Sequence, residues 1–245
     1  MLYQLGADGE VRRSWRITNK HGGLLGDRRM LPNGNILAAG IYCDCVKEID
    51  YETREPVWEW HARNAFQDYD DEGVFPGGRN FGQKSAYASY SRVDTINPTS
   101  WAHLNHAQAL PNDNVLVSLR NFDLVVEVNR EGQIVWSYGP GLIKHQHTPR
   151  VLDDGILAVF DNGNSRAILV DRGTQEVLWE YSGLENTAVM GEISRLADGN
   201  YKILSSLENV IMVVSQEGEV RWSMRVLTNA PSGGIYRAHL PQLES

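Results

Sequence analysis

Short apolar runs separated by polar turns recur along this chain at a regular interval. The clearest stretch lies between Trp101 and Gly183, where two consecutive copies of one unit stand: WAHLNHAQALPNDNVLVSLRNFDLVVEVNREGQIVWSYG and HQHTPRVLDDGILAVFDNGNSRAILVDRGTQEVLWEYSG. Each copy opens on polar and aromatic residues and passes through a turn of Asn, Asp and Gly. An apolar alternating run follows, then a second run ending in a charged turn, then a closing run with Trp136 or Trp179. Runs this short, bounded by turn residues, predict four strands per unit.

Two more units share the pattern, one from 26 to 62 and one from 187 to 226. Leu31-Pro32-Asn33-Gly34-Asn35, Leu110-Pro111-Asn112-Asp113-Asn114 and Leu196-Ala197-Asp198-Gly199-Asn200 are the same turn, with Asn, Asp and Gly supplying positive φ. A four-stranded unit of about 40 residues has the period of a propeller blade, which cannot bury its own faces and must stack on neighbours. Trp58, Trp136, Trp179 and Trp222 each close a unit, and aromatics at a fixed place in every blade predict interblade core rather than a cofactor box.

Residues 2 to 17 read as half a blade, a hairpin turning at Ala7-Asp8-Gly9 and ending near Trp15. After the last unit, GGIYRAHLPQLES reads as a lone innermost strand. Pairing it with the N-terminal half-blade closes the ring and removes its open edges. The expectation is one all-β domain over 1–245, a β-propeller of five four-stranded blades closed by its two termini. An insert at about 63–100, rich in aromatic, Gly and polar residues, lacks both the turn and the closing tryptophan. Its length favours an ordered loop over one face; folded as a blade it would make six.

Composition narrows the function. The 245 residues carry a formal charge of -8 and no Lys/Arg run, which excludes a phosphate-backbone binder. No apolar segment reaches the length of a bilayer span, and Met1 leads directly into strand-like sequence with no apolar leader. As written the chain reads as soluble and cytoplasmic; a periplasmic or secreted domain trimmed of its leader would read the same. Cys43 and Cys45 are the two cysteines, and strand alternation places both on one side, where a bridge would distort the backbone; buried free thiols are expected.

The chemistry belongs where innermost strands converge. Residues that open successive units meet at one channel mouth although about 40 positions separate them in sequence. His103, Asn105 and His106 open one unit and His145 and His147 the next. In an extended segment His103 shares a side with Asn105, and His145 with His147, while His106 points away. Arg120 and Asn121 follow the second run of one unit; Asp161, Asn162 and Arg166 occupy the equivalent place in the next.

These segments resemble the bacterial arylsulfotransferases, a β-propeller family with quinoprotein-like repeats. The likeness is sharpest in Trp101-Ala102-His103-Leu104-Asn105, in Ser118-Leu119-Arg120-Asn121, and in Gln146-His147 followed by Phe160-Asp161-Asn162-Gly163. The resemblance implies transfer of a sulfuryl group between small phenolic compounds through a histidine intermediate. His147 would be the nucleophile, His103 the acid/base and Arg120 the oxyanion clamp, with Asp161 or Asn162 orienting a neighbour. His106, His145, Asn105, Asn121 and Arg166 would complete the binding site. No cofactor and no nucleotide donor are implied, and no G-x-x-x-x-G-K-S/T loop occurs.

Two other readings use the same residues differently. Channel-mouth histidines could ligate a divalent metal for a hydrolase or lyase, although no short diagnostic spacing supports it. A non-catalytic binding module would place function in the insert instead. A quinone cofactor lacks an identifiable calcium-and-quinone site.

Overall fold

The computed structural model describes residues 2–5, 8–15, 28–66, 74–75, 79–80, 102–139, 141–185, 187–188, 190–227, 235 and 238. Among them the architecture is nearly all-β. Four antiparallel four-stranded sheets follow one another, each built from sequential strands. Blade 1 holds β3 (Arg28–Met30), β4 (Ile36–Gly40), β5 (Cys45–Ile49) and β6 (Pro56–His61). Blade 2 holds β9 (Leu104–Ala109), β10 (Val115–Leu119), β11 (Leu124–Val128) and β12 (Ile134–Tyr138). Blade 3 runs β13 (His147–Val151), β14 (Leu157–Asp161), β15 (Arg166–Val170) and β16 (Val177–Tyr181). Blade 4 runs β17 (Glu192–Arg195), β18 (Tyr201–Ser205), β19 (Val210–Val214) and β20 (Val220–Arg225).

The four blades are the four units of the sequence. Two short hairpins accompany them: β1 (Leu2–Leu5) with β2 (Val11–Trp15), and β7 (Val74–Phe75) with β8 (Arg79–Asn80). The first hairpin is the predicted N-terminal half-blade and the second lies within the insert. The rest of the insert beyond Phe66 and the C-terminal strand expected to close the ring lie outside the described residues, apart from 235 and 238. Ala238 does accept a hydrogen bond through its carbonyl from the buried Lys202 of blade 4.

Stacking explains the residue pattern. The two middle strands of blades 2 and 3 are buried at nearly every position because each of their faces meets a neighbouring blade. One core joins Leu37, Val46 and Trp60 of blade 1 to Leu104, Val117 and Val126 of blade 2. A second joins Leu116 and Val125 to Val159 and Ile168 across blades 2 and 3, and a third joins Phe160 and Leu169 to Ile193 and Ile203 across blades 3 and 4. Burying apolar side chains between sheets is the main stabilising term in such a stack. The start of the insert joins the first core, with α1 (Ala62–Ala65) ending at Phe66, whose ring meets Trp60 and Phe122 edge-on.

The closing tryptophans pin one blade to the next by hydrogen bond as well as by packing. Trp58, Trp136 and Trp179 donate through Nε1 to the carbonyls of Arg130, Arg172 and Gln216, each in the outer turn of the following blade. They are half-buried rim residues and not fully enclosed ones; Trp222, on β20, is 44% exposed.

One expectation is overturned. Cys43 and Cys45 are bridged, with Cα atoms 5.1 Å apart. The argument for free thiols assumed an extended strand through both. Residues 41–44 instead form a turn, Asp44 has a φ of 47°, and only Cys45 is in β5. The turn presents the two Cβ atoms at bridging range.

Candidate functional site at the blade openings

Among the described residues, the openings of blades 2, 3 and 4 are loops that enter the first strand through a left-handed residue. His103, His145 and Met190 have φ values of 53°, 54° and 55°. A left-handed non-glycine residue costs roughly 1–2 kcal/mol, so something must hold it. At two openings the holder is an aspartate from the preceding blade. Asp44 Oδ1 accepts the N–H groups of Ala102 and His103 at 2.8 and 3.1 Å, and Asp123 Oδ1 accepts that of His145 at 2.7 Å. Both aspartates sit at the tip of the turn joining the second and third strands of a blade, themselves left-handed. Since φ is positive at His103 and His145, alternation does not run through them. They do not share strand faces with Asn105 and His147 in the manner expected of an extended chain.

Arg120 stands at the centre. It begins a 3₁₀ turn (Arg120–Phe122) directly after β10 and is buried. Its guanidinium donates to Asn121 Oδ1 at 3.3 Å and to the carbonyl of Ala188, in the blade 4 opening, at 3.4 Å. Its charge reaches all three mouth histidines. Burial first, and the Arg120 charge second, push His103 and His145 down to about 4 and His147 down to about 3. All three imidazoles are therefore neutral at physiological pH.

His147 is the most enclosed of the three, and its tautomer follows from its neighbours. Asn162, in the matching 3₁₀ turn (Asn162–Asn164) of blade 3, donates through Nδ2 to the carbonyls of Thr187 and Met190. Those two bonds fix the amide so that Oδ1 faces His147 Nδ1 at 2.8 Å. Nδ1 must then carry the proton, and Nε2 carries the lone pair.

The remaining sequence candidates divide differently. Asn105 spans the blade 2 to blade 3 junction, donating to the Gln146 carbonyl at 2.9 Å. His106 is fully buried on β9 opposite Ser118. Asp161 does not orient a mouth histidine: it accepts from the Lys144 amide, Asn164 and Arg166. Arg166 pairs with Asp161 and Glu180, both at 2.8 Å. Asn105 ties two blades, and Asp161 and Arg166 tie blade 3 to the loop that enters it, while His103, Arg120, Asn121, His145, His147 and Asn162 gather at the mouth.

Asp44 and Asp123 were missed by sequence reasoning. Their signal is an aspartate in the turn after the second strand of the blade that precedes an opening with a histidine. Asp123 also lies 3.7 Å from His145 Nε2, and burial raises its carboxyl to about 6. Among the described residues no three His, Cys, Asp or Glu side chains are grouped to hold a metal. Nor is any helix long and apolar enough to cross a membrane.

Residues 27–143 match the arylsulfotransferase (ASST) family model. That span contains His103, Arg120 and Asn121 and ends before His145 and His147. The likeness drawn from the W-x-H-x-N and S-x-R segments thus extends over blades 1 and 2. Among solved structures the chain is similar to a protein of unknown function from Bacteroides caccae, at 16% identity and a TM-score of 0.61, with 95% of this chain and 77% of that one covered. It is also similar to a catalytically inactive virginiamycin B lyase from Staphylococcus aureus with quinupristin, at 12% identity and a TM-score of 0.56, covering 93% of this chain and 64% of the lyase. The WD40 β-propeller domain of Doa1 matches at 13% identity and a TM-score of 0.53, with 80% of this chain and 52% of that one covered. At these identities the likeness is one of fold, and the fold is a propeller. No curated protein matches the sequence.

Proposed function

We propose that this arylsulfotransferase-like chain transfers a sulfuryl group between small phenolic compounds by way of a histidine intermediate. The observation that carries the reading is the neutral His147, its Nδ1 proton held by Asn162 and its ring within the field of the buried Arg120.

Each residue type suits its role. Arg120 binds the sulfuryl oxygens and stabilises the charge that builds on them. Nε2 of His147 attacks sulfur, a nitrogen–sulfur bond forms, and the sulfur–oxygen bond to the donor phenol breaks. The departing phenolate takes a proton from His103. In the second half, His103 recovers a proton from the acceptor phenol, whose oxygen attacks sulfur and releases His147. His103 is neutral in the free protein and gains this proton from solvent as the donor binds, because the anionic ester paired with Arg120 offsets the arginine's share, second to that of burial, in depressing its basicity. The proton is conserved across the two halves, and no metal or nucleotide enters.

The test is incubation of the protein with 4-nitrophenyl sulfate and a phenol acceptor. Release of 4-nitrophenolate that depends on the acceptor, with equal formation of the acceptor's sulfate ester, is expected. No turnover, or turnover unchanged in His147→Ala, overturns the proposal; turnover abolished by a chelator would mark a metal-dependent hydrolase or lyase instead.

A further inference from the structure

The Asp44 turn differs from its counterpart in blade 2 in one respect. Asp44 lies between the two bridged cysteines, whereas Phe122 and Leu124 flank Asp123. Asp44 is 0% exposed, and it ties together more of the chain than Asp123 does. Its Oδ1 takes the amides of Ala102 and His103; its Oδ2 meets the Arg63 guanidinium at 3.2 Å; its carbonyl accepts the Ala62 amide at 2.9 Å. On the far side, the amides of Arg120 and Asn121 donate to the carbonyls of His103 and Ala102 at 3.3 and 3.1 Å. The 102–103 segment is therefore gripped between a carboxylate from blade 1 and the turn that carries Arg120. A left-handed histidine held this way stays where its ring points into the mouth; without the grip it relaxes to a commoner conformation.

We propose that Asp44 is the positioning residue for His103, and that the Cys43–Cys45 bridge is a redox lock on that position. Cys43 is half-buried, so its sulfur is the one open to attack. A dithiol reductant would act through its thiolate, which bonds to Cys43 Sγ as the sulfur–sulfur bond breaks and Cys45 leaves as a thiolate. The second thiol of the reagent then displaces Cys43, giving two cysteine thiols and one oxidised dithiol. With the bridge open, the turn that presents Asp44 loses its covalent constraint and the grip on His103 slackens.

The activity readout rests on the sulfuryl-transfer reading; the structural readout does not. The histidine rings of the full chain, labelled with nitrogen-15, are titrated by NMR in the oxidised protein, after dithiothreitol, and in Asp44→Ala, Asp123→Ala and Cys43→Ser/Cys45→Ser. Asp44, Arg120 and His147 all act on His103, and of these three Asp44 is the one tied to the bridge. Reduction, the double serine variant and Asp44→Ala are each expected to move His103 from about 4 toward 6.5 and leave His145 in place. Asp123→Ala is expected to do the reverse, and reoxidation to restore the starting titration. In parallel, kcat falls by about tenfold or more with KM held, against the roughly hundredfold cost of misplacing a reacting group by an ångström. A His103 titration unmoved by reduction, or His103 and His145 moving together, overturns the inference. A wild-type protein that turns over no aryl sulfate removes the proposed reaction, while the ring titrations still decide the lock.

Discussion

The outer turns and the mouth of this propeller are built on opposite plans. At the outer end the first two junctions are near copies. Asn33 and Asn35 donate to Glu48, Arg130 of the next blade pairs with Glu48 at 2.6 Å, and the same guanidinium lies 5.2 Å from the Trp58 ring. One blade further on, Asn112 and Asn114 donate to Glu127, Arg172 pairs with Glu127, and Arg172 lies 4.6 Å from the Trp136 ring. At the mouth the openings of blades 2 and 3 share a left-handed histidine held by an aspartate, but the first strands they enter then diverge, with Asn105 two residues on in one and His147 in the other, and blade 4 presents Met190 with Gly191. The outer end repeats because every junction there has the same task. The mouth diverges because one shared space needs a different group from each blade.

The sharpest way to break that division is to exchange the effects. His147→Ala is expected to lower acceptor-dependent sulfuryl transfer by about 10⁴-fold or more, the scale of losing a nucleophile. Its melting temperature should stay close to that of the parent, since the outer clamps are intact. A variant that unfolds, or that turns over at the parental rate, would place His147 with the scaffold.

Arg120→Gln is the next largest, at about 10²–10³-fold in kcat, the usual size of losing a charge-stabilising donor. It also carries a pH signature. In the parent, kcat/KM holds below 6.5 and falls only as pH drops toward about 3, where the nucleophile His147 protonates, His103 and His145 having done so near 4. Removing the guanidinium takes away one cause of their depression, so the acidic limb shifts upward. Stability follows the same groups. Histidines whose basicity drops on folding contribute stability that is whole above 6.5 and is lost as pH falls toward 4 and, for His147, about 3. Asp123, raised to about 6, acts in the other direction, its burial penalty relieved as pH falls below that value. Three histidines against one aspartate make net acid destabilisation the expected result, read as a falling melting temperature.

The same division explains what the sequence revealed. Blades were legible because turn, apolar run and tryptophan recur with one period, and that recurrence is the physics of stacking identical faces. His103 and His147 could be picked out because two consecutive units open on histidines, and Arg120 because its Ser-Leu-Arg-Asn segment carries the family resemblance. The roles of Asp161 and Arg166 could not be separated from that of Asn162, since adjacent residues in one turn face different blades and only three-dimensional partners distinguish them. The bridge was missed for a related reason. Cys43-Asp44-Cys45 reads as strand by composition, and the left-handed Asp44 that turns it is invisible to a period of two.

Glu127→Ala tests the outer end alone. The carboxylate is buried and serves Asn112, Asn114 and Arg172 at once, and the last three lower its pKa against the burial that raises it. Removing it leaves a partly buried guanidinium and two amides without their acceptor, a loss of about 3 kcal/mol in unfolding free energy. Denaturant unfolding should show that loss while kcat per folded molecule is unchanged. A fall in kcat comparable to that of Arg120→Gln would mean the two ends are coupled.

The finest comparison lies within the outer end, between the second junction and the third. In the third, Leu169 takes the place of Glu127 in the strand register, opposite Trp179 as Glu127 is opposite Trp136, and Gln216 takes the place of Arg172. Trp179 instead packs on Tyr201, with ring centroids 4.4 Å apart. Replacing either tryptophan by Phe removes one Nε1 hydrogen bond, worth about 1 kcal/mol. Trp136→Phe also weakens the hold on the Arg172 cation, since Phe is a poorer partner for a guanidinium, by about 0.5 kcal/mol. Trp179→Phe keeps an aromatic ring against Tyr201 and loses little beyond the hydrogen bond. Trp136→Phe should therefore be the more destabilising of the pair by that small margin. Equal losses would show that the arginine over the ring at the second junction adds nothing that the tyrosine at the third does not.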